Sequence, residues 1–324
     1  MDVLPFFSFP WIEDSMGFLD TLGQMGVLFL MVIIGFTCHK LKLMNDTFDR
    51  SLSVLIINVT APCIILSSVM GDTLPGREEI LPVLILGTCT LVFMLITGII
   101  CAKLLRSSEE GIYRFMFAFG NINFIGLPVT SALFGTYAIF YISVLTIPFN
   151  FFIFLLGQLF ISSCRKDKSD TKAKIELNWR MVLSPALSAT YIVIVLVFFQ
   201  IHTPKIIGEA IHLVGYMTIP ASLLVIGSTL ANIKVLEMFG NWRIYVMSLL
   251  KLLAIPALIW AIYSISPFDK RYTDVLVILS AMPVASYGTM ICLKENIDPK
   301  TMSQGTFMST LLSIITIPLL ALIL

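Results

Sequence analysis

Charge is what this sequence has least of. Only 13% of its 324 residues are Asp, Glu, Lys or Arg, against roughly 25% in an ordinary globular domain. Histidine is scarcer still: His39, His202 and His212 fall near the ends of apolar segments and make no metal-ligand pattern. The six cysteines include no C-x-x-C pair, so they read as small hydrophobes rather than metal ligands or disulfide partners. There is no Walker A string, no H-E-x-x-H and no paired Asp-Asp or Ser-His inside an apolar run. That excludes ATP drive by this chain alone and intramembrane hydrolysis. A net charge of +1 removes the basic footprint of a nucleic-acid binder. No enzymatic activity, catalytic residue, metal or cofactor is expected.

Hydrophobic residues are abundant instead, at 57% of the chain with a mean hydropathy of +0.94. So apolar a chain cannot cover itself with polar surface, and its partner is the lipid bilayer. Spanning helices need about 20 apolar residues. Ten such runs occur, near 21–41, 51–71, 80–104, 111–136, 139–163, 180–201, 206–231, 243–264, 272–293 and 301–324. The expected fold is an all-α integral membrane protein with ten transmembrane helices.

Cations collect in alternate connections: Lys40, Lys42 and Arg50, then Lys103, Arg106 and Arg114, then six between Arg165 and Arg180, and further pairs after the seventh and ninth runs. The opposite connections hold Arg77, Lys205, Lys270 and Arg271. Short cytoplasmic loops carry the excess of Lys and Arg, which places both termini outside. Residues 1–17 contain Asp2, Glu13 and Asp14 but no Lys or Arg, so no secretory leader is expected. The charged stretch 164–179 is the one sizeable polar linker. It divides the chain into a first five-helix repeat, 1–163, and a second, 180–324.

Two of the runs are interrupted alike. One carries Gly120-Asn121-Ile122-Asn123-Phe124-Ile125-Gly126-Leu127-Pro128, the other Ser280-Ala281-Met282-Pro283-Val284-Ala285-Ser286-Tyr287-Gly288. Inside a membrane every freed N–H and C=O needs a partner in protein or in a wet cavity. Paired interruptions in two halves are the best sequence pointer to a transporter's site. Pro62 and Pro128 lie 66 residues apart, Pro220 and Pro283 63. Five helices per unit is odd, so the second unit is inverted. Runs four and nine, with Gly126 and Gly288 beside their prolines, are expected to break and cross; runs two and seven, with Pro62 and Pro220, to kink. Each broken helix would then offer a half-helix N-terminus, Leu127 to Ser131 and Pro283 to Tyr287, to one central cavity. Such termini carry unpaired N–H groups and partial positive charge, which suits an anion.

Six side chains near these breaks are candidate substrate contacts. Asn121 either meets a ligand or caps the break, and Asn123 shares a cavity with it if the chain is unwound there. Asn150 is an amide in an apolar stretch that either contacts substrate or bonds another helix. Lys251, ~12 Å into its run at 1.5 Å per residue, is an intramembrane cation and so a functional hypothesis by default. It either attracts a carboxylate, loses its proton as part of coupling, bonds carbonyls freed by Pro256, or snorkels inward. Ser286 and Tyr287 follow Pro283 with hydroxyls that can line the cavity.

The string Gly120-Asn121-Ile122-Asn123-Phe124-Ile125-Gly126-Leu127-Pro128, with Gly135 further on, resembles the auxin efflux carrier family. Ala61-Pro62, Lys251 five residues before Pro256, Ala281-Met282-Pro283, Asp298-Pro299 and Ile317-Pro318 follow in collinear order. The resemblance implies two inverted five-helix repeats, a mobile domain holding the crossover, and export of small organic anions: auxin-like, malonate-like or malate-like carboxylates. The short linker resembles the compact, bacterial-type form and its plasma membrane. The resulting expectation is a secondary carrier working by alternating access, with substrate between the crossover and a scaffold of helices one, two, six and seven. A proton is favoured over sodium as coupling ion, because neutral amides and one lysine dominate the site. No Asp or Glu lies between Gly111 and Ser163 or between Val275 and Lys294, which disfavours a sodium/proton antiporter. A sodium-coupled organic-anion symporter of similar fold and a non-transporting ligand sensor are the alternatives. A homodimer is compatible with the sequence but not required by it.

Overall fold

The structure, a computed structural model, describes residues 18–70, 75–164, 184–232, 241–295 and 297–324. The linker expected at 164–179 lies outside them beyond Cys164, as do residues 1–17 and the basic residues between Arg165 and Arg180. The described elements are helical, in the order α1 (Phe18–Lys40), α2 (Asp46–Ser67), α3 (Arg77–Leu104), α4 (Glu110–Ala118), α5 (Leu127–Phe134), α6 (Thr136–Ser162), α7 (Pro185–Phe199), α8 (Lys205–Ala231), α9 (Trp242–Ser264), α10 (Lys270–Ser280), α11 (Tyr287–Lys294) and α12 (Lys300–Ala321). Among the described residues there is no strand, only one isolated antiparallel bridge, between Gly120 and Val284.

Polar caps set where several helices begin. The Asn45 side chain accepts from Phe48 N–H ahead of α2, Ser184 from Leu187 N–H ahead of α7, and Asp269 from Arg271 N–H ahead of α10. Each satisfies a donor that the first turn cannot pair internally. Gly135, at φ +78°, separates α5 from α6, a conformation that glycine adopts without a Cβ penalty.

Among the described residues, six helices are long and apolar enough to cross a membrane: α2, α3, α6, α8, α9 and α12. The fourth and ninth apolar runs fall outside that set because each is split into two short helices. Large apolar side chains such as Leu30, Ile33, Leu81, Ile85, Phe198 and Leu213 are exposed along the outer helices. A water-soluble chain rarely exposes so extended an apolar surface; a bilayer covers it. The opposite holds for α4 and α10, whose residues are buried almost all round, as expected of helices enclosed by protein.

Three prolines are absorbed in the same way. The five residues Ile56–Thr60, Ile122–Gly126 and Leu250–Ala254 form single π-turns, each followed by an X-Pro pair: Ala61-Pro62, Leu127-Pro128 and Ile255-Pro256. In each, the residue before proline donates its N–H five residues back, as Ala61 does to Ile56, Leu127 to Ile122 and Ile255 to Leu250. Proline lacks an N–H and its ring clashes with the carbonyl four residues earlier. The wider turn accommodates the ring, so the helix continues with a local bulge. Each π-turn also carries one strongly polar side chain: Asn58, Asn123 or Lys251.

Helices α1, α2, α7 and α8 pack chiefly on one another. The remaining helices form a second group around the buried aromatic side chains of α4, of Phe119 just beyond it and of α6, including Phe115, Phe117 and Phe140. The groups meet along a seam where α1 and α8 face α5, α12 and the π-turn ahead of α5. Glycines let the first group close tightly. A Cβ on Gly227 would fall 2.0 Å from the Val32 carbonyl oxygen, and one on Gly35 2.2 Å from that of Leu224. Small residues permit such approach of helix backbones in lipid.

Candidate functional site

The bridge between Gly120 and Val284 is where the two interrupted runs meet. α4 stops at Ala118, and Phe119 turns to extended backbone, φ −114° and ψ 115°. The Asn121 N–H donates to the Pro283 carbonyl at 2.7 Å, and the Ala285 N–H to the Phe119 carbonyl at 3.0 Å. Each break thus satisfies the other. Gly120 permits this approach: a Cβ there would sit 3.0 Å from Met282 Cβ and 3.2 Å from its carbonyl oxygen.

The neighbouring backbone groups are also paired. In an unbroken helix the Asn121 N–H would reach the Phe117 carbonyl, four residues back. That carbonyl instead accepts from Lys251 Nζ at 3.0 Å. The Val284 N–H donates to Ser309 Oγ at 3.0 Å. The Phe124 N–H donates to Asn121 Oδ1 at 3.2 Å, and the Asn121 carbonyl accepts from Gly126 at 2.9 Å. This is the requirement for irregular backbone at membrane depth: burial in protein, with its polar groups satisfied.

The breaks differ in position from the expectation. The second half of the fourth run begins not at Leu127 but at Ile122, capped by Asn121, because the π-turn carries the helix through Pro128. Pro283 lies in the extended stretch itself, so α11 starts at Tyr287 rather than at Pro283. Gly288 falls inside α11, where a Cβ would meet Phe115 at 2.5 Å and Met302 Sδ at 2.6 Å. Gly126 packs on Leu279 of α10. Around Pro62 the helix bulges and continues, while α8 is stepped at Met217, three residues before Pro220.

Asn121 and Ser286 come together: Asn121 Nδ2 lies 3.4 Å from Ser286 Oγ, at the outer reach of a hydrogen bond. Asn121 is 8% exposed and Ser286 exposed, so the pair spans from packed interior to an accessible face. Asn123 is exposed, and Asn150 half-buried on α6; neither is hydrogen-bonded to that pair. Tyr287 is half-buried at the head of α11. Lys251 is 0% exposed and reaches the break through the Phe117 carbonyl rather than through an open face. The carbonyl it holds is one freed by the break in the fourth run, not one freed by Pro256.

Ser309 is a contributor that the motifs alone do not reveal. Its signal is a buried hydroxyl stripe on α12, Ser309, Thr310, Ser313 and Thr316, at helical spacing. One small cavity abuts the bridge and another lies on the seam. One of about 30 Å³ is lined by Gly120, Ile122, Thr90, Phe149 and Ser280. The other, about 60 Å³, lies on the seam between Val32, Leu223 and Ile226 on one side and Ile125, Val129 and Thr310 on the other. Drug-sized ligand pockets usually measure roughly 300–1,000 Å³, so both cavities are small in this conformation.

Residues 21–321 match the model of a family described as "Membrane transport protein". The chain belongs to this family, that of the auxin efflux carriers. An uncharacterized transporter of Methanothermobacter thermautotrophicus is 26% identical over 318 residues, covering 95% of this chain and 99% of the relative. With the apolar helices, this establishes a multi-pass integral membrane protein of a transporter family. The Asn121–Ser286 pair and the enclosed Lys251 Nζ are polar groups that the bridge brings near one another among the described residues.

Proposed function

We propose that this chain is a secondary active transporter that moves a small carboxylate across the membrane, with its site at the bridge between the two broken runs. In this reading α4 with α5, and α10 with α11, are the crossover helices of two inverted five-helix repeats. The chain then crosses ten times with both termini outside. The observation that carries the reading is the reciprocal pairing of Asn121 N–H with the Pro283 carbonyl and of Ala285 N–H with the Phe119 carbonyl. Such pairing has no use in a simple anchor, where unbroken helices cost less.

The polar groups suit an anion. The Asn121 amide donates, the Ser286 hydroxyl faces an accessible surface, and the buried Lys251 Nζ lies one carbonyl away from the break, where it adds a positive charge whenever it is protonated. No Asp or Glu occurs in α5, α6 or α11 to repel a carboxylate. The small cavity on the seam implies movement: the α1–α2–α7–α8 group separates from the rest to admit substrate, then closes on the other side. Export is the favoured direction and a proton the favoured coupling ion, in a bacterial-type plasma membrane.

The test is uptake and counterflow in proteoliposomes, with mono- and dicarboxylates alongside neutral and cationic solutes of similar size. Counterflow of at least one carboxylate, enhanced by a pH gradient, is the expected result. Counterflow confined to neutral or cationic solutes contradicts the anion reading, and absence of any counterflow contradicts transport.

A further inference from the structure

Away from the bridge, α1, α2 and α8 bring three polar side chains together in otherwise apolar packing. Asp49, near the start of α2, is 7% exposed. Its Oδ2 accepts the Ser228 hydroxyl at 2.5 Å. The fully buried Ser228 Oγ also lies 2.9 Å from Nδ1 of His39, which is half-buried. Asp49 Oδ1 is buried and has no hydrogen-bond partner among the described residues. The close contacts of Gly35 and Gly227 set the spacing: Gly227 immediately precedes Ser228, and Gly35 lies one turn before His39.

A buried carboxylate with one unpaired oxygen is costly while charged. A metal cation or a proton would relieve that cost. The surroundings disfavour the metal. Lys40 Nζ bonds the Ala231 carbonyl at 3.0 Å, one turn beyond Ser228. Lys42 and Arg50 are exposed close by in sequence, and Asp46 is the nearest other acid on α2. Between Thr218 and Ala231, α8 contributes no titratable side chain. Among the described residues no third His, Cys, Asp or Glu joins Asp49 and His39 to complete a metal site, and the half-exposed imidazole gives a proton a way in from solvent.

We propose that His39, Ser228 and Asp49 form a proton-binding chain, separate from the bridge, that loads the α1–α2–α8 group with one proton. Water delivers a proton to the neutral His39 ring, giving imidazolium. The imidazolium passes its Nδ1 proton to Ser228 Oγ as Ser228 passes its own to Asp49 Oδ2. The ring returns to neutral, the serine is unchanged, and the carboxylate becomes a carboxylic acid. Both hydrogen bonds then run in the reverse direction, from Asp49 to Ser228 to His39. Any role of this proton in driving transport rests on the carrier reading above; the proton site itself does not.

Two measurements separate the claims. Infrared difference spectroscopy on the full chain in lipid nanodiscs, without substrate, should show a protonated-carboxyl band on acidification. One component of that absorption, to which the other acids among the chain's 20 Asp and Glu also contribute, should be missing in the near-isosteric Asp49→Asn and change frequency in Ser228→Ala, where the acid loses its partner. A wild-type minus Asp49→Asn double difference with no carboxyl component overturns the proton site. In proteoliposomes, Asp49→Asn should keep carboxylate counterflow and lose accumulation driven by a pH gradient. Retained gradient-driven accumulation overturns the coupling role. Failure of the wild-type chain to move any carboxylate contradicts the carrier reading and leaves the infrared result to decide the proton site.

Discussion

Replacing Gly227 by alanine is expected to lower stability by an amount unusual for the addition of one methyl group. The added Cβ would lie 2.0 Å from the Val32 carbonyl oxygen and 2.8 Å from the Phe36 nitrogen, both backbone atoms of α1. No rotamer change relieves that clash; α1 and α8 must separate. Overpacking within a well-filled core typically costs about 1–3 kcal/mol, and a backbone-to-backbone contact belongs at the upper end. The gain in helix propensity from Gly to Ala is only about 1 kcal/mol and does not offset it. Gly35→Ala should behave alike, since its Cβ would meet Leu224 backbone at 2.2 Å. Gly26→Ala is the internal control, with nothing within 4 Å of its Cβ. Thermal unfolding in detergent should show a clear loss for Gly227 and Gly35 and none for Gly26. Equal midpoints for all three would contradict the tight α1–α8 contact.

Lys251→Met separates function from stability. The substitution leaves the Phe117 carbonyl unpaired, at a cost of about 1–3 kcal/mol. It also removes the expense of burying an ammonium that has no carboxylate partner among the described residues, an effect of several kcal/mol in the opposite direction. The second term is at least as large as the first, so the variant should fold with a melting temperature at or above that of wild type. Transport should still fall on the order of 10-fold, equivalent to about 1.4 kcal/mol, because the end of α4 loses its anchor and the site its positive charge. A folded variant with wild-type transport would show that the lysine only fills space. A variant that unfolds would show that the carbonyl bond outweighs the desolvation of the charge.

The membrane class is legible because composition and apolar runs are bulk properties that no tertiary contact can reverse. The interruptions are legible from proline and glycine, whose backbone effects are local. Their exact places are not. Pro128 falls within a continuing helix because a π-turn absorbs its ring, and the break moves upstream to Phe119–Asn121. That depends on Asn121 capping the turn and on Pro283 accepting its N–H. The second partner lies 162 residues away in sequence and leaves no local signal. Lys251 is similar. Its depth in an apolar run marks it as unusual, but the carbonyl it holds belongs to Phe117 on another helix. The Asn121–Ser286 pair comes from two segments that the sequence itself matches; Asn123 and Asn150, conspicuous only for their polarity, are not hydrogen-bonded to it. Asp49 and Ser228 carry no sequence signal, because a carboxylate near a helix start and a serine near a helix end are ordinary until packing buries them together.

The central claim, that the paired breaks hold the transported anion, is tested most directly by carboxylate counterflow through Asn121→Ala compared with wild type. Both proteins should be reconstituted at equal amounts and checked for matching melting behaviour. The substitution removes the cap on the Ile122–Gly126 turn and the amide beside Ser286. Loss of a cap costs about 1 kcal/mol, which a protein of this size tolerates. The expected result is counterflow by the wild type and a fall on the order of 10-fold or more in the variant, the equivalent of at least about 1.4 kcal/mol of lost interaction. Undiminished counterflow through a folded Asn121→Ala protein would contradict the account.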